Sequence, residues 1–347
     1  MAVTKEQFGT TKDGVGVTKF TITNKNGMSI SLLDYGAIVQ AICVPNKDGE
    51  VKDIALGFDD VASYEVNGCF FGAFVGRHAN RIGGARFELN GTEYKLLKND
   101  GENNLHGGDP GYHKLMYRGD TAGDNSVFFE RVSPDMEQGY PGALELKVTY
   151  TLTDDNEFKI EYFARSDADT IYNPTNHTYF NFLGHDGGDI THHTLKINAD
   201  AITEASADLI PNGNLIQVEG TPFDFREPKD IYVDIEADNI HLKNAGGYDH
   251  NFCLKKEPRE YGYAATVSEK TSGISMDIYT DLPGMQFYSG NFIEHEEGKS
   301  GTVYTKRSGM CFESQFYPNA VNVPSFVSCY LPKGEEFNST TTYKFSW

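Results

Sequence analysis

The chain has 347 residues, 39% hydrophobic and 13% aromatic, with 36 glycines spread along it. That composition describes a folded, turn-rich protein and excludes a low-complexity chain. Its 30 Lys+Arg against 50 Asp+Glu give a formal net charge of −20, which repels phosphate and argues against nucleic acid or anionic membrane as partners.

The opening MAVTKEQFGTTKDG has no apolar run of signal-peptide length, and no later segment approaches the roughly 20 apolar residues of a membrane helix. A soluble, cytoplasmic protein is expected. From about residue 17 onward, short alternating runs recur with turn chemistry between them: MSISLLD, IVQAICV, then ARFEL and EYKL around an Asn90-Gly91 turn. Next comes ALELKVTYTL, whose Leu144, Leu146, Val148, Tyr150 and Leu152 alternate across TDDN from Phe158, Ile160, Tyr162 and Ala164. GISMDIYT follows, and strand signals continue to Tyr343–Phe345. Such alternation marks strands with one face on a core, several paired as hairpins. No linker or composition shift divides them, so the expected architecture is all-β: one large, mostly antiparallel β-sandwich domain spanning 1–347.

Neither a repeat nor a dinucleotide-binding strand–turn–helix unit is present. The five cysteines (Cys43, Cys69, Cys253, Cys311, Cys329) are scattered, with no CxxC. They read as small buried hydrophobes in a reducing compartment, not as disulfides or a metal site.

Four segments put polar groups where apolar ones would pack better. In GRHANRIGGARF, Asn80 and Arg81 are either a solvated turn or donors to sugar hydroxyls, the guanidinium in a fixed geometry. In NDGENNLHGG, His106 sits on a glycine-bounded loop, where a lone histidine is more often structural than catalytic. In NPTNHTYFNF, the period of two places Asn173, Thr175, His177, Tyr179 and Asn181 on one face. That face meets either water or a polar cavity, and an imidazole there is a usable general acid. In SGMCFESQFYPNAVN, Glu313 shares a face with Cys311, Gln315 and Tyr317; a carboxylate there needs a partner or a use, which makes it the candidate base. Asp249 in NAGGYDHNFCL and Gln286 in LPGMQFYSGNF are equally readable as turn residues or ligand contacts. His192 and His193 lie in a Gly/Asp-rich loop and receive no role.

The series GRHANRI, NNLHGG, TNHTYFNF, GYDHNF, PGMQFYSGNF, FESQFYPNAVN and PKGEEFNSTTTYKF, in that order, resembles the aldose 1-epimerases, or galactose mutarotases, over nearly the whole chain. The resemblance implies a galactose mutarotase-type sandwich that binds a free aldohexose such as galactose or glucose, with no cofactor and no metal. It implies Glu313 as general base, His177 as general acid and His106 as the second histidine beside the ring oxygen. Asn80, Arg81, Asp249 and Gln286 fall at the positions of sugar ligands. Ser314 stands where the family more often has threonine. A monomer and a homodimer are both compatible with these features. The competing readings are a hexose-6-phosphate 1-epimerase, a non-catalytic carbohydrate-binding protein, and a glycosidase using Asp249 and Glu313 as paired carboxylates.

Overall fold

The structure is a computed structural model describing residues 2–347. The alternating segments form two large antiparallel sheets, a five-stranded one and several two-stranded pairings. A nine-stranded sheet runs from Arg118–Thr121 at one edge through Leu144–Leu152, Glu157–Ser166 and Glu336–Ser346 to Lys229–Asp230 at the other. A six-stranded sheet is ordered Tyr179–Phe180, Met310–Gln315, Gly284–Tyr288, Asp249–Leu254, Ala199–Ala205, Pro211–Gln217. The first five strands, Ala2–Thr10 to Val51–Asp53, form a consecutive meander.

The hairpins read from sequence are present. Leu146 pairs with Ala164, Val148 with Tyr162 and Tyr150 with Ile160, so the apolar face of each strand points to the same side. Asn90 and Gly91 both have positive φ, 52° and 77°, the backbone a tight two-residue hairpin requires. Strand structure begins earlier than the expected position near residue 17: Ala2–Thr10 pairs with Gly16–Thr23 as a polar edge strand. Its mostly exposed AVTKEQFGT has no apolar alternation to reveal it, because only Val3 and Phe8 of its apolar side chains pack against the core.

The sheets pack face to face as a sandwich. One core holds Val148, Ile160 and Tyr343 from the nine-stranded sheet, Phe252, Phe287 and Phe312 from the six-stranded sheet, and Ile30 and Val39 from the meander. Tyr343 reaches across, its ring 5.4 Å from Phe180 and its hydroxyl donating to the Phe312 carbonyl at 3.0 Å. That bond fixes the strand one residue before Glu313. Among the described residues, no helix is long and apolar enough to cross a membrane.

Candidate active site

The site is built from alternate residues of the six-stranded sheet and from loops at the edge of the meander. In the sheet, Gln286 lies opposite Glu313 and beside Asp249 through Asn251, with Gln315 one pair further along. Because every second residue of a strand points the same way, the residues flanking Glu313, Phe312 and Ser314, face away from it. Phe312 stacks on Phe287 at 5.4 Å in the core. Gln315 Nε2 donates to Gln286 Oε1 at 3.1 Å, and Gln286 Nε2 donates to Asp249 Oδ1 at 2.7 Å. The amides thus form a ladder ending on a carboxylate.

Asn80 and His106 are brought together by the short pairing of Arg81–Ile82 with Asn104–Leu105. Both have left-handed backbones, φ 59° and 51°, the former favoured by the short amide of asparagine. They are locked reciprocally. The Asn80 N–H donates to His106 Nδ1 at 3.1 Å, and the His106 N–H donates to the Asn80 carbonyl at 3.1 Å. With Nδ1 accepting, the neutral His106 ring carries its proton on Nε2 and is a donor there. Gly107 permits this approach: a Cβ at that position would lie 2.1 Å from the Gly76 carbonyl oxygen.

His177 ends the Thr175–His177 strand, paired with Ala73–Val75. Pairing then changes partner, for Tyr179–Phe180 joins Met310–Gln315. The expected polar face is therefore divided. His177 and Tyr179 border a cavity of about 310 Å³, of the size a small-molecule site requires. Asn173 instead clips the backbone N–H and carbonyl of Phe316, and Asn181 holds the carbonyls of Gly188 and Ser308.

Around that cavity stand Asn80, Arg81, His106, His177, Asp249 and Glu313. Gln286 does not border it but supports Asp249 from behind. Sequence reasoning did not single out Phe70, Asp100, Tyr288 and Phe292, which also line it. Asp100 lies in the NDGENN stretch next to His106, and its Oδ2 accepts from Arg81 Nε at 2.7 Å. Arg81 Nη1 lies 3.9 Å from Asp249 Oδ2. Arg77, four residues before Arg81, has a different task. Only 1% exposed, it donates to the carbonyls of Pro141 and Gly142 and to Ser133 Oγ at 2.7, 2.9 and 2.6 Å. His193 is likewise structural, its Nε2 accepting from the Phe182 N–H.

Electrostatics concentrate at Glu313. Its side chain is 2% exposed, Oε2 has no hydrogen-bond partner in the protein, and Oε1 lies 3.7 Å from His177 Nε2. Burial, reinforced by Asp249 and opposed by Arg81, pushes its pKa well above the usual carboxylate range. Burial also raises Asp249, against Arg81 and the Gln286 hydrogen bond. His177 is driven down to about 4 by burial, and His106 falls well below the ordinary imidazole value for the same reason, with His177 and Arg81 adding. Ligand atoms of His106, His177 and Glu313 lie within 4.8 Å of one another, a set with donor types suited to a divalent cation. Those atoms are also the ones an acid–base reaction at a sugar ring would use.

A sandwich with two buried carboxyl groups and two buried imidazoles around one small cavity, one carboxyl braced from behind by a ladder of amides, has the groups of an acid–base enzyme for a polyhydroxylated substrate. The sequence model of the aldose 1-epimerase family matches residues 18–344. The chain is 42% identical to the galactose mutarotase of Rattus norvegicus over 100% of this chain and 99% of that one. It is 37% identical to the aldose 1-epimerase of Escherichia coli K12, covering 96% of both. Its fold matches the crystal structure of galactose 1-epimerase from Lactobacillus acidophilus with a TM-score of 0.85 at 28% identity, over 100% of this chain and 99% of that one. The chain belongs to the aldose 1-epimerase family, enzymes that interconvert the anomers of aldoses.

Proposed function

We propose that this protein interconverts the α and β anomers of a free aldohexose, galactose or glucose, with Glu313 as base and His177 as acid. The observation that carries the reading is the buried Glu313 carboxyl, one oxygen unpartnered and the other 3.7 Å from His177 Nε2, at the wall of a sugar-sized cavity.

Anomer exchange requires the C1 hydroxyl to lose a proton while the ring oxygen gains one, so that the C1–O5 bond breaks and C1 becomes an aldehyde. Rotation about C1–C2 presents the other carbonyl face, and closure reverses both transfers. One proton shared by Glu313 and His177 suffices. The pair stands either as carboxylic acid with neutral imidazole or as carboxylate with imidazolium. Burial favours the first in the empty cleft. Hydrogen bonds from a sugar to both groups favour the second, from which Glu313 takes the C1 proton and His177 protonates the ring oxygen. His106, donating from Nε2, is placed to steady the ring oxygen as charge develops there.

The far end of the sugar must stay bound while C1 turns. Asp249, braced by Gln286, and Arg81, braced by Asp100, suit that task, with the Asn80 amide beside them. Arg81 is the one Lys or Arg lining the cavity among the described residues, and two carboxylates already engage it. That supports a neutral aldose over a hexose 6-phosphate. The cleft draws on residues from 68 to 313, which supports a single catalytic domain; five free cysteines suit a cytoplasmic setting.

Polarimetry of freshly dissolved α-D-galactose and α-D-glucose, with glucose 6-phosphate as competitor, tests the substrate reading. Accelerated decay that the phosphate does not inhibit is the expected result. Inhibition by the phosphate well below the KM for galactose would overturn the neutral-sugar assignment.

A further inference from the structure

Phe70 is half-buried against the small apolar cluster of Ala73, Val75 and Ala79. Its backbone is left-handed, φ 62°, a conformation that costs an aromatic residue energy and that survives only where surroundings impose it. The surroundings are specific. Asn67 Oδ1 accepts from the Phe71 N–H at 3.2 Å, the Tyr179 hydroxyl donates to the Cys69 carbonyl at 2.8 Å, and the Ala73 N–H donates to the Phe70 carbonyl at 3.0 Å. The next turn is closed by Gly72, whose N–H donates to the His177 carbonyl. A Cβ on Gly72 would lie 2.0 Å from the Val39 carbonyl oxygen.

Held this way, the half-buried Phe70 ring lies against imidazoles on three separate segments. Ring centroids are 4.7 Å from His106, 5.8 Å from His177, nearly parallel to it, and 4.5 Å from His113. His106 and His177 themselves meet edge to face at 5.2 Å. Phe70 also borders the cavity alongside both imidazoles, so its ring takes up part of their surface that water in the cleft would otherwise reach.

We propose that Phe70 is a positioning residue for the acid–base pair: its ring covers one side of His106 and of His177, fixes their orientation and withholds water from the sides it covers. The inference rests on the assignment of His177 as acid. Without this cover, water reaches the rings and stabilises the imidazolium forms, so both histidines become easier to protonate. The groups that face the rings define what else sets their charge. Glu313 and Cys311 lie beside His177, at 3.7 and 3.5 Å, with the Tyr179 and Tyr288 rings 5.0 and 6.3 Å from it, while His177, Arg81, His113 and His78 act on His106. None of these is on the Phe70 loop, so substitution there changes hydration and packing while leaving every charged neighbour in place.

The test combines histidine NMR titration of the free enzyme with polarimetric kcat and KM for α-D-galactose, in wild type, F70A, F70Q and F70L. Signals are assigned with H106N and H177N, and thermal melts confirm that each variant is folded. In wild type both histidines titrate below the ordinary imidazole value. F70A and F70Q raise the titration midpoint of at least one of them and lower kcat about tenfold, less than the loss of a whole acid–base group, with KM nearly unchanged. F70L, which retains an apolar cover, preserves both properties. Should F70A fail to fold, F70Q carries the same expectation. Unmoved titrations with unchanged kcat would overturn the proposal, and so would a rise in KM alone, which would make Phe70 a sugar contact. Because the titrations need no substrate, they judge Phe70 even if E313Q showed that the assignment of the base was wrong.

Discussion

Gln286 Nε2 donates a 2.7 Å hydrogen bond to Asp249 Oδ1, and the same Gln286 accepts from Gln315 at 3.1 Å. The ladder spans three adjacent strands of the six-stranded sheet and ends on the carboxylate at the cavity wall. Asp249 is thereby held at the cavity wall by a residue that does not itself border the cavity. Gln286→Leu should raise KM for galactose about tenfold, the cost of one hydrogen bond to a charged group, with a smaller change in kcat. Combined with Asp249→Asn, its effect should be less than additive, because both act on one contact. Full additivity in steady-state kinetics would show that Gln286 acts independently.

Glu313 occupies a place that costs the fold, and the proposed chemistry needs it there. Its unpartnered, buried oxygen is penalised whenever the group is charged, and its raised pKa gives the sign: the contribution to stability is lost as pH rises through the folded-state value. Glu313→Gln removes that penalty. At pH 8 the variant should melt about 1–3 °C above wild type while losing most turnover. A lower melting temperature at pH 8 would show that the carboxylate is stabilised by a partner.

Acid should weaken the fold for the opposite reason. His78, His177 and His193 are held near 4, and His113 and His250 near 3, each chiefly by burial. Their unfolded value is about 6.5. These depressed values contribute stability that is present above pH 6.5 and is lost as pH falls toward 4. Glu313 and Asp249, both raised, oppose the trend but are fewer. The urea midpoint should fall steadily from pH 7 to pH 5, and a flat midpoint over that range would contradict the buried neutral histidines.

Arg77 is a structural cation. It gathers two carbonyls and a serine hydroxyl beneath the loop that carries Asn80 and Arg81. Arg77→Ala strands those acceptors in the interior and should cost about 3 kcal/mol or more of stability. Chemical denaturation measures it. A loss below about 1 kcal/mol would mean that water replaces the guanidinium freely.

Much of the sheet structure was legible because its strands have one apolar face: the pairing of Leu146 with Ala164 and the Asn90-Gly91 turn follow from alternation and turn chemistry. The Ala2–Thr10 strand was not, since only Val3 and Phe8 of this edge strand pack against the core, too far apart to leave an alternating trace. Polar residues at packing positions pointed to Glu313, His177 and Asn80. Alternation alone could not divide the His177 face, because the chain changes partner between His177 and Tyr179 and sends Asn173 and Asn181 to backbone clips. Phe70 was silent for another reason: its meaning lies in contacts with His106 and His177, residues 36 and 107 positions away, and one more aromatic in a strand-rich sequence says nothing about them.

The most direct measurement is polarimetry of freshly dissolved α-D-galactose with wild type and Glu313→Gln at equal concentration. Rapid decay to the equilibrium rotation with wild type, and decay slowed about 10²–10⁴-fold in enzyme-dependent rate by the substitution, is the expected result. Wild-type decay at the spontaneous rate, or a variant as fast as wild type, would contradict the account.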